Sequence, residues 1–245
     1  MATKTAYPFR VEPQEVDFSL RITLVALGGN ILNIAGIDAH TKGFGVDALN
    51  KDNFSWVLSR IAFEFDYRPE EYVKYEIATW ISDYGRMLST RNFELTDQTG
   101  VCFGRVVSQW CMLDLSKRTA VDLRAVAESH NDAIVECPSP AEKPRKVPAP
   151  DAEPVLTHKV AYSDIDFNRH VNTMRYIEMM TCCRSNASRR SARCGWTSIS
   201  SKRRVTARRS RWRSKSAVRR RSSRFAAMPA RPSAAGRSNG GSPVA

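Results

Sequence analysis

The stretch MLSTRNFELTDQTGVCFGRVVSQWCMLDL, residues 87–115, contains two long runs of apolar and β-branched residues on either side of the sequence DQTG. Asp, Thr and Gly at 97–100 favour a tight reversal, because their side chains or their backbone freedom accommodate turn geometry. Two such runs joined by so short a turn predict an antiparallel β-hairpin. The stretch therefore indicates an antiparallel sheet, around which the neighbouring sequence can be interpreted.

Two preceding segments add strands to this sheet. FSWVLSRIAFEFD, residues 54–66, is rich in aromatic and branched residues. In YVKYEIATWIS, residues 72–82, apolar and charged residues alternate. The apolar face carries Val73, Tyr75, Ile77 and Ile81, and the opposite face carries Lys74 and Glu76. A period of two predicts a half-buried strand.

A helix precedes these strands. Apolar residues recur at spacings of three and four over residues 20–38, as one helical stripe requires: Leu20, Leu24, Leu27, Ile31 and Ile34. Gly28 and Gly29 interrupt the helix propensity and would allow another backbone to pack close. One helix followed by long antiparallel strands predicts an α+β fold, with the helix covering one face of the sheet.

The same order of elements begins again after a proline-rich segment at 137–154, which lacks periodicity and is interpreted as a linker. PVLTHKVAY at 154–162 predicts a strand, and VNTMRYIEMM at 171–180 predicts a helix. This order indicates an internal duplication, although no residue-level repeat is apparent. The expected organisation is an N-terminal domain at 1–136, the linker, the start of a second copy at 155–180 and a tail at 181–245.

The formal net charge of +13 comes from the tail. Residues 181–245 contain 18 Lys and Arg and no Asp or Glu, whereas residues 1–180 contain 20 basic and 25 acidic residues. An Arg/Ser-rich tail without apolar periodicity is predicted to be disordered. Arginines with scattered aromatic residues also favour contacts with phosphates and bases. A nucleic-acid-binding module is therefore the alternative function.

The start of the chain lacks the apolar core of a signal peptide, and Arg21, Asn30 and Asn33 interrupt its most apolar region. No membrane span is expected. The six cysteines form no CxxC pair: Cys102, Cys111, Cys137, Cys182, Cys183 and Cys194. These features favour a soluble, reducing, cytoplasmic setting and give no indication of a metal site or a cofactor.

The segment DIDFNRH, residues 164–170, is the richest in reactive groups. Asp166, Asn168 and His170 occupy alternate positions, so in an extended chain they would point to one side. A carboxylate, an amide and an imidazole suit hydrolysis, because a carboxylate orients the imidazole and histidine moves protons near neutral pH. The alternative is that Asp166 or Asn168 caps the following helix and His170 is structural.

DIDFNRHVN, followed by the helix TMRYIEMM, resembles the D-x-D-x-N-x-H-V-N-N signature of acyl-acyl carrier protein thioesterases, with Thr173 in place of the second asparagine. The blocks WVLSRIAFEFD, EIATWISDYGRMLSTRNFELTDQTG and GRVVSQWCMLDLSKR resemble that family's first hotdog domain. The resemblance implies tandem hotdog domains, each a long helix wrapped by an antiparallel sheet. It also implies hydrolysis of the thioester between a fatty acyl chain and its carrier protein.

By the same resemblance, Asp166, Asn168 and His170 take the family's catalytic positions, and either water or a carboxylate attacks the thioester. The N-terminal helix would help to line the pocket for the acyl chain. The implied partner is acyl carrier protein carrying a fatty acyl chain, with no cofactor and no membrane, and a homodimer is compatible with it.

The family also places a catalytic glutamate beyond this helix, within the tail, where no glutamate occurs. The genetic code supports a shifted reading frame. In that frame each codon consists of the last base of one codon and the first two bases of the next. At three places the code fixes the residue that such a codon encodes. These codons give aspartate across Met180–Thr181, leucine across Cys182–Cys183 and aspartate across Trp196–Thr197. We therefore interpret the tail as out of frame and the second hotdog domain as truncated. Such a chain is expected to have little activity and to expose the apolar helix face between Val171 and Met180.

Overall fold

The computed structural model describes residues 3–124, 133–146, 158–166, 169–182 and 196–200. Its strands are β1 (Thr5–Arg10), β2 (Phe54–Phe65), β3 (Lys74–Tyr84), β4 (Ser89–Asp97), β5 (Cys102–Asp114), β6 (Thr119–Ala120) and β7 (Trp196–Ser200). Its α-helices are α1 (Leu24–Thr41), the short α2 (Val46–Leu49) and α3 (Thr173–Cys182). Single 3-10 turns occupy Pro13–Glu15, Asn50–Asp52 and Tyr162–Asp164.

The strands form one antiparallel sheet in the order β1-β3-β4-β5-β2-β7, with the short β6 paired to β5. The predicted hairpin is confirmed, since β4 and β5 pair with Phe93 opposite Val106. Its turn places Gly100 at a φ of +86°, a conformation that strains residues with a side chain. Asp97 Oδ1 accepts the Thr99 N–H at 2.8 Å, so the turn residues themselves stabilise the reversal.

The helix α1 packs on one face of this sheet, and the predicted apolar stripe forms the contact. Leu27 and Ile31 are fully buried in a core that also contains Tyr75 and Ile77 of β3. The charged residues that alternate with them on β3, Lys74 and Glu76, are exposed. Burying an aliphatic side chain of this size stabilises a fold by about 1.5–3 kcal/mol. The stripe therefore anchors α1 to the sheet, as the two periodicities predict.

The helix α1 begins four residues later than predicted. Leu20 fits the apolar spacing, but it has a left-handed φ of +56° and its side chain is exposed. Thr23 is the N-cap, with its Oγ1 accepting the Ala26 N–H at 3.1 Å. The helix starts after this cap because the preceding residues form a separate loop.

The second helix is confirmed, whereas the described part of the strand predicted at 154–162 is not a strand. Residues 154–157 lie outside the described residues, and 158–161 form no regular element before the 3-10 turn that starts at Tyr162. The Ala161 N–H donates to the Asp164 carboxylate at 2.7 Å. A local side-chain acceptor has therefore replaced the sheet partner that a strand would need.

The helix α3 packs against α1, so the expected exposure of its apolar face is wrong. Met174 and Ile177 of α3 are buried in the same core as the α1 stripe. Gly28 of α1 makes the contact close, since a Cβ built there would lie 2.6 Å from Met174 Sδ. The sequence prediction that this glycine permits a close approach is confirmed, with a methionine side chain as the neighbour.

A residue-level repeat, not apparent from the sequence pattern, emerges from the structure. Residues 13–23, PQEVDFSLRIT, and residues 162–172, YSDIDFNRHVN, adopt the same sequence of elements 149 positions apart. Each begins with a 3-10 turn, continues with an isolated antiparallel bridge and ends where a helix starts. The bridges are Val16–Ile22 and Ile165–Val171. The two segments therefore share local backbone geometry, and their side chains agree mostly in type, as the predicted duplication would require.

The strand β7 pairs with the edge of β2, with Ile199 opposite Ile61. These five residues belong to the stretch that was predicted to be disordered, and here the chain forms a strand instead. A strand from the C-terminal part of the chain therefore extends the sheet beyond the strands of the first copy. The remainder of the tail after Cys182 lies outside the described residues.

Candidate functional site

Asp166 and His170 lie on a closed loop immediately before α3. The Asp166 N–H donates to the His170 carbonyl at 2.8 Å, and the His170 N–H donates to Asp166 Oδ1 at 3.0 Å. Arg169, between them, has a left-handed φ of +60°. The expectation of an extended chain with alternating side chains is therefore wrong. A turn, closed by backbone hydrogen bonds, brings the two residues together.

Of the three predicted site residues, the structure describes two. Asp166 is half-buried and His170 is exposed at the surface of the loop. Asn168 lies outside the described residues, as does Phe167. The described pair is linked through the carboxylate of the first and the backbone of the second, so this acid already has a role in holding the histidine-bearing backbone.

The alternative in which Asp166 or Asn168 caps the helix does not match the described contacts. Asn172 occupies the capping position, with its Oδ1 accepting the Met174 N–H at 2.8 Å. An asparagine side chain in this position satisfies one of the free donors of the first helical turn. The carboxylate of Asp166 is directed to the loop backbone instead, which leaves the helix start to a residue outside the predicted triad.

Asp164 is a residue that the sequence reasoning did not assign. It is buried, and its carboxylate accepts the Ala161 N–H at 2.7 Å and His158 Nε2 at 2.8 Å. Arg175 Nε of α3 lies 3.3 Å from its other oxygen. The Ala161 hydrogen bond, followed by that of His158, lowers the pKa of Asp164 below its ordinary value. Asp164 therefore places a buried negative charge next to the loop. The sequence feature that could have identified this residue is its position as the first acid of DID.

The equivalent loop of the first copy carries different side chains. Arg21 occupies the position of His170, and Ser19 occupies that of Asn168. Asp17, the counterpart of Asp166, forms an ion pair with Arg68 at 2.8 Å, and Arg21 pairs with Glu70 at 2.7 Å. Arginine is not a proton-transfer group near neutral pH. Within the described residues, only the second copy combines this loop with a histidine.

The described residues contain neither a cluster suited to a metal ion nor a helix suited to crossing a membrane. No group of three or more His, Cys, Asp or Glu side chains is arranged to hold a metal ion in the described ranges. In the same part of the chain, no helix is both long enough and apolar enough to cross a membrane.

Comparisons with known proteins show which family the chain resembles. Residues 2–128 match the family model of the acyl-ACP thioesterase N-terminal domain, and residues 149–185 match that of the acyl-ACP thioesterase C-terminal domain. An acyl-ACP thioesterase structure from Bacteroides thetaiotaomicron is 40% identical, with a TM-score of 0.69, over 74% of this chain and 73% of its own. The 12:0-ACP thioesterase of Umbellularia californica, at 20% identity and a TM-score of 0.59 over 71% of this chain and 72% of its own, shares the fold.

Among curated proteins, oleoyl-acyl carrier protein thioesterase 2 of Arabidopsis thaliana is 27% identical over 188 residues, which are 69% of this chain and 51% of that protein. The chain thus spans about half the length of the curated relatives that it matches. These relatives are thioesterases and give no support to the nucleic-acid-binding alternative.

Proposed function

The chain belongs to the acyl-ACP thioesterase family, and from that premise we propose that its site hydrolyses acyl-ACP thioesters and releases free fatty acid. The observation that carries this proposal is the closed loop before α3, which joins Asp166 to the backbone of His170. The loop lies within the segment that matches the family's C-terminal domain. The partner is acyl carrier protein with a fatty acyl chain.

In the proposed reaction, a nucleophile adds to the thioester carbonyl carbon, the C–S bond breaks, and the thiol leaves with a proton. His170 is exposed at the loop, and histidine moves protons near neutral pH, so we assign it the proton transfer. Asp166 orients that residue. Asn168 supplies an amide to stabilise the oxyanion. The attacking group is either water, activated within this set, or a carboxylate that water later regenerates.

We further propose that the first copy of the fold accommodates the acyl chain beside α1. The support is that its apolar stripe faces the sheet and that only the second copy carries the histidine among the described residues.

Three of the cysteines, Cys102, Cys111 and Cys137, are free thiols, in keeping with the reducing, cytoplasmic setting expected from the sequence. A homodimer is compatible with the proposal and is not required by it.

We also propose that the tail is out of frame and that this chain hydrolyses its substrate slowly. The match to the family's C-terminal domain stops at residue 185, close to the start of the acid-free stretch. The glutamate that the family uses beyond the helix has no counterpart there. Loss of a general base commonly lowers a rate by a factor of about 10²–10⁴.

The test is release of free thiol from acyl carrier proteins of several acyl lengths. It uses the frame-restored chain, meaning the same protein with the shifted frame translated after residue 180. Replacing Asp166 or His170 by alanine in that chain should abolish turnover while the thermal unfolding midpoint stays close to that of the parent. Turnover that survives His170→Ala would remove the proposed role of the histidine.

A further inference from the structure

We infer that Asp164 is a positioning residue, which holds the loop from Asp166 to His170 in its working shape. Its carboxylate and its backbone carbonyl oxygen contact residues that precede the loop and residues that follow it. The contacts before the loop are the Ala161 N–H and His158 Nε2, at 2.7 and 2.8 Å.

The contacts after the loop come from the start of α3. The Asn172 N–H donates to the Asp164 carbonyl at 2.8 Å, and Arg175 Nε lies 3.3 Å from the carboxylate. Arg175 is itself held on the helix by Glu178, one turn further along. One buried residue thus joins both ends of the loop, so the separation of those ends depends on it.

The first copy of the fold contains the same device at the equivalent position, Glu15. Its carboxylate accepts the Glu12 N–H at 3.0 Å, as Asp164 accepts that of Ala161. Its backbone carbonyl accepts the Thr23 N–H at 2.8 Å, as Asp164 accepts that of Asn172. A carboxylate therefore fixes this loop twice in the chain, at positions 149 residues apart.

The loops that the two carboxylates hold match in the backbone contacts of their described residues. The N–H of Asp17 donates to the Arg21 carbonyl at 3.0 Å, as that of Asp166 does to His170. Leu20 and Arg169 share a left-handed φ of +56° and +60°. The first loop has no histidine, yet it keeps the acid. The shared task of the acid is therefore to shape the loop, and in the second copy that shape presents His170.

The two copies differ in what else contacts the acid. Glu15 Oε1 accepts the neutral amide of Asn30 at 3.2 Å, whereas Asp164 faces His158 and the guanidinium of Arg175. Both carboxylates accept charge-assisted hydrogen bonds, and Asp164 in addition lies 3.3 Å from the opposite charge of Arg175. The loop with the candidate histidine is thus held by a charged network. Replacing Asp164 by its neutral amide should loosen this loop more than the same change at Glu15 loosens the first loop.

The experiment compares Asp164→Asn with Glu15→Gln as the matched control, in the full chain. Amide hydrogen exchange should accelerate about tenfold or more at His170 and Asn172 in Asp164→Asn, with Thr23 unchanged. Glu15→Gln should accelerate exchange at Thr23 and at Glu12, whose N–H donates to the Glu15 carboxylate, and leave His170 and Asn172 unchanged. Unchanged exchange at His170 and Asn172 in Asp164→Asn would overturn the inference.

The kinetic part rests on the proposed function and uses the frame-restored chain. A displacement of about 1 Å can lower a rate about 10²-fold. We therefore expect Asp164→Asn to lower kcat about 10- to 100-fold with little change in KM, and Glu15→Gln to leave kcat within about twofold. Asp164→Glu should restore most of kcat, because the first copy uses glutamate there.

Equal losses of kcat in Asp164→Asn and Glu15→Gln, in proportion to lost thermal stability, would contradict a positioning role. If the frame-restored chain has no turnover at all, the proposed function fails, and the exchange measurement still decides whether Asp164 shapes the loop.

Discussion

Met174 of α3 lies directly over Gly28 of α1, so close that a Cβ on the glycine would stand 2.6 Å from the methionine sulfur. This contact joins the two copies of the fold at their helices. Both helices follow the same loop geometry, and each contributes buried residues to one shared core. The second helix is therefore part of the first domain's packing, which explains how α3 buries its apolar face without a sheet of its own among the described residues.

Replacing Gly29 by alanine should stabilise the fold, whereas the same change at Gly28 should give a smaller gain or a loss. A Cβ at Gly29 meets no atom within 4 Å, so Gly29→Ala should gain the helix-propensity difference of about 0.5–1 kcal/mol. At Gly28 the same gain is offset by displacement of Met174, whose flexible side chain must move within the shared core. Urea unfolding of both variants gives the comparison. Equal stabilisation by the two changes would show that the helices do not meet as described.

The buried pair of Asp38 on α1 and Arg91 on β4 should respond differently to single and double replacement. The two side chains are 1% and 5% exposed, and Arg91 Nη1 lies 2.6 Å from the carboxylate. Removing one partner of a buried pair typically costs about 3–5 kcal/mol, whereas replacing both by apolar residues is often nearly neutral. Arg91→Met should therefore lower the free energy of unfolding, by less than this range because Lys42 also lies 2.9 Å from Asp38, and Asp38→Leu with Arg91→Met should recover most of the loss.

The control for that pair is the exposed pair of Arg105 and Asp66, at 3.2 Å. Arg105→Met should change the free energy of unfolding by less than about 1 kcal/mol, because exposed ion pairs contribute little. If Arg91→Met proved as mild as Arg105→Met, the described burial of Asp38 and Arg91 would be in error.

The fold should lose stability in acid, and the same buried pair should account for part of the loss. Burial alone would raise the pKa of Asp38, but the charge of Arg91 and hydrogen bonds from Lys42 and Arg91 outweigh it and lower that pKa. A carboxyl with a lowered pKa in the folded state stabilises the fold above its unfolded pKa, near 3.9. That contribution is lost as the pH falls from this value through the folded pKa.

Urea unfolding between pH 6 and pH 2.5 measures this dependence. The parent chain should lose stability below about pH 4, and the variant with Asp38→Leu and Arg91→Met should show a shallower decline. Parallel curves for the two proteins would mean that Asp38 does not titrate with a lowered pKa.

The sheet and α1 could be predicted from the sequence because their periodicities are local. The alternation around Tyr75 and Ile77 indicates which side of β3 faces the core. The stripe through Leu27 and Ile31 indicates the same for α1. The start of α1 was missed, since Leu20 has the right spacing and only its backbone conformation excludes it from the helix. Local patterns thus identify elements better than they identify their ends.

At the candidate site, the sequence indicated two residues that the folded chain brings together, and it missed the geometry that joins them. Asp166 and His170 do lie together, but a left-handed residue and a closed loop join them, which alternation in an extended chain could not indicate. Asp164 was missed because its importance depends on His158 and Arg175, which approach it only in the folded chain. The repeat was missed because residues 13–23 and 162–172 share two identities, and the other pairs are at best similar in type.

The most direct test of the proposed activity is the rate of thiol release from acyl carrier protein thioesters by the chain as written and by the frame-restored chain. Both retain Asp166, Asn168 and His170, and their sequences differ only after residue 180. We expect the frame-restored chain to hydrolyse at least one acyl length about 10²–10⁴ times faster, the factor typical of a recovered general base. Equal rates would contradict an out-of-frame tail, and absence of turnover in both would contradict the proposed thioesterase activity.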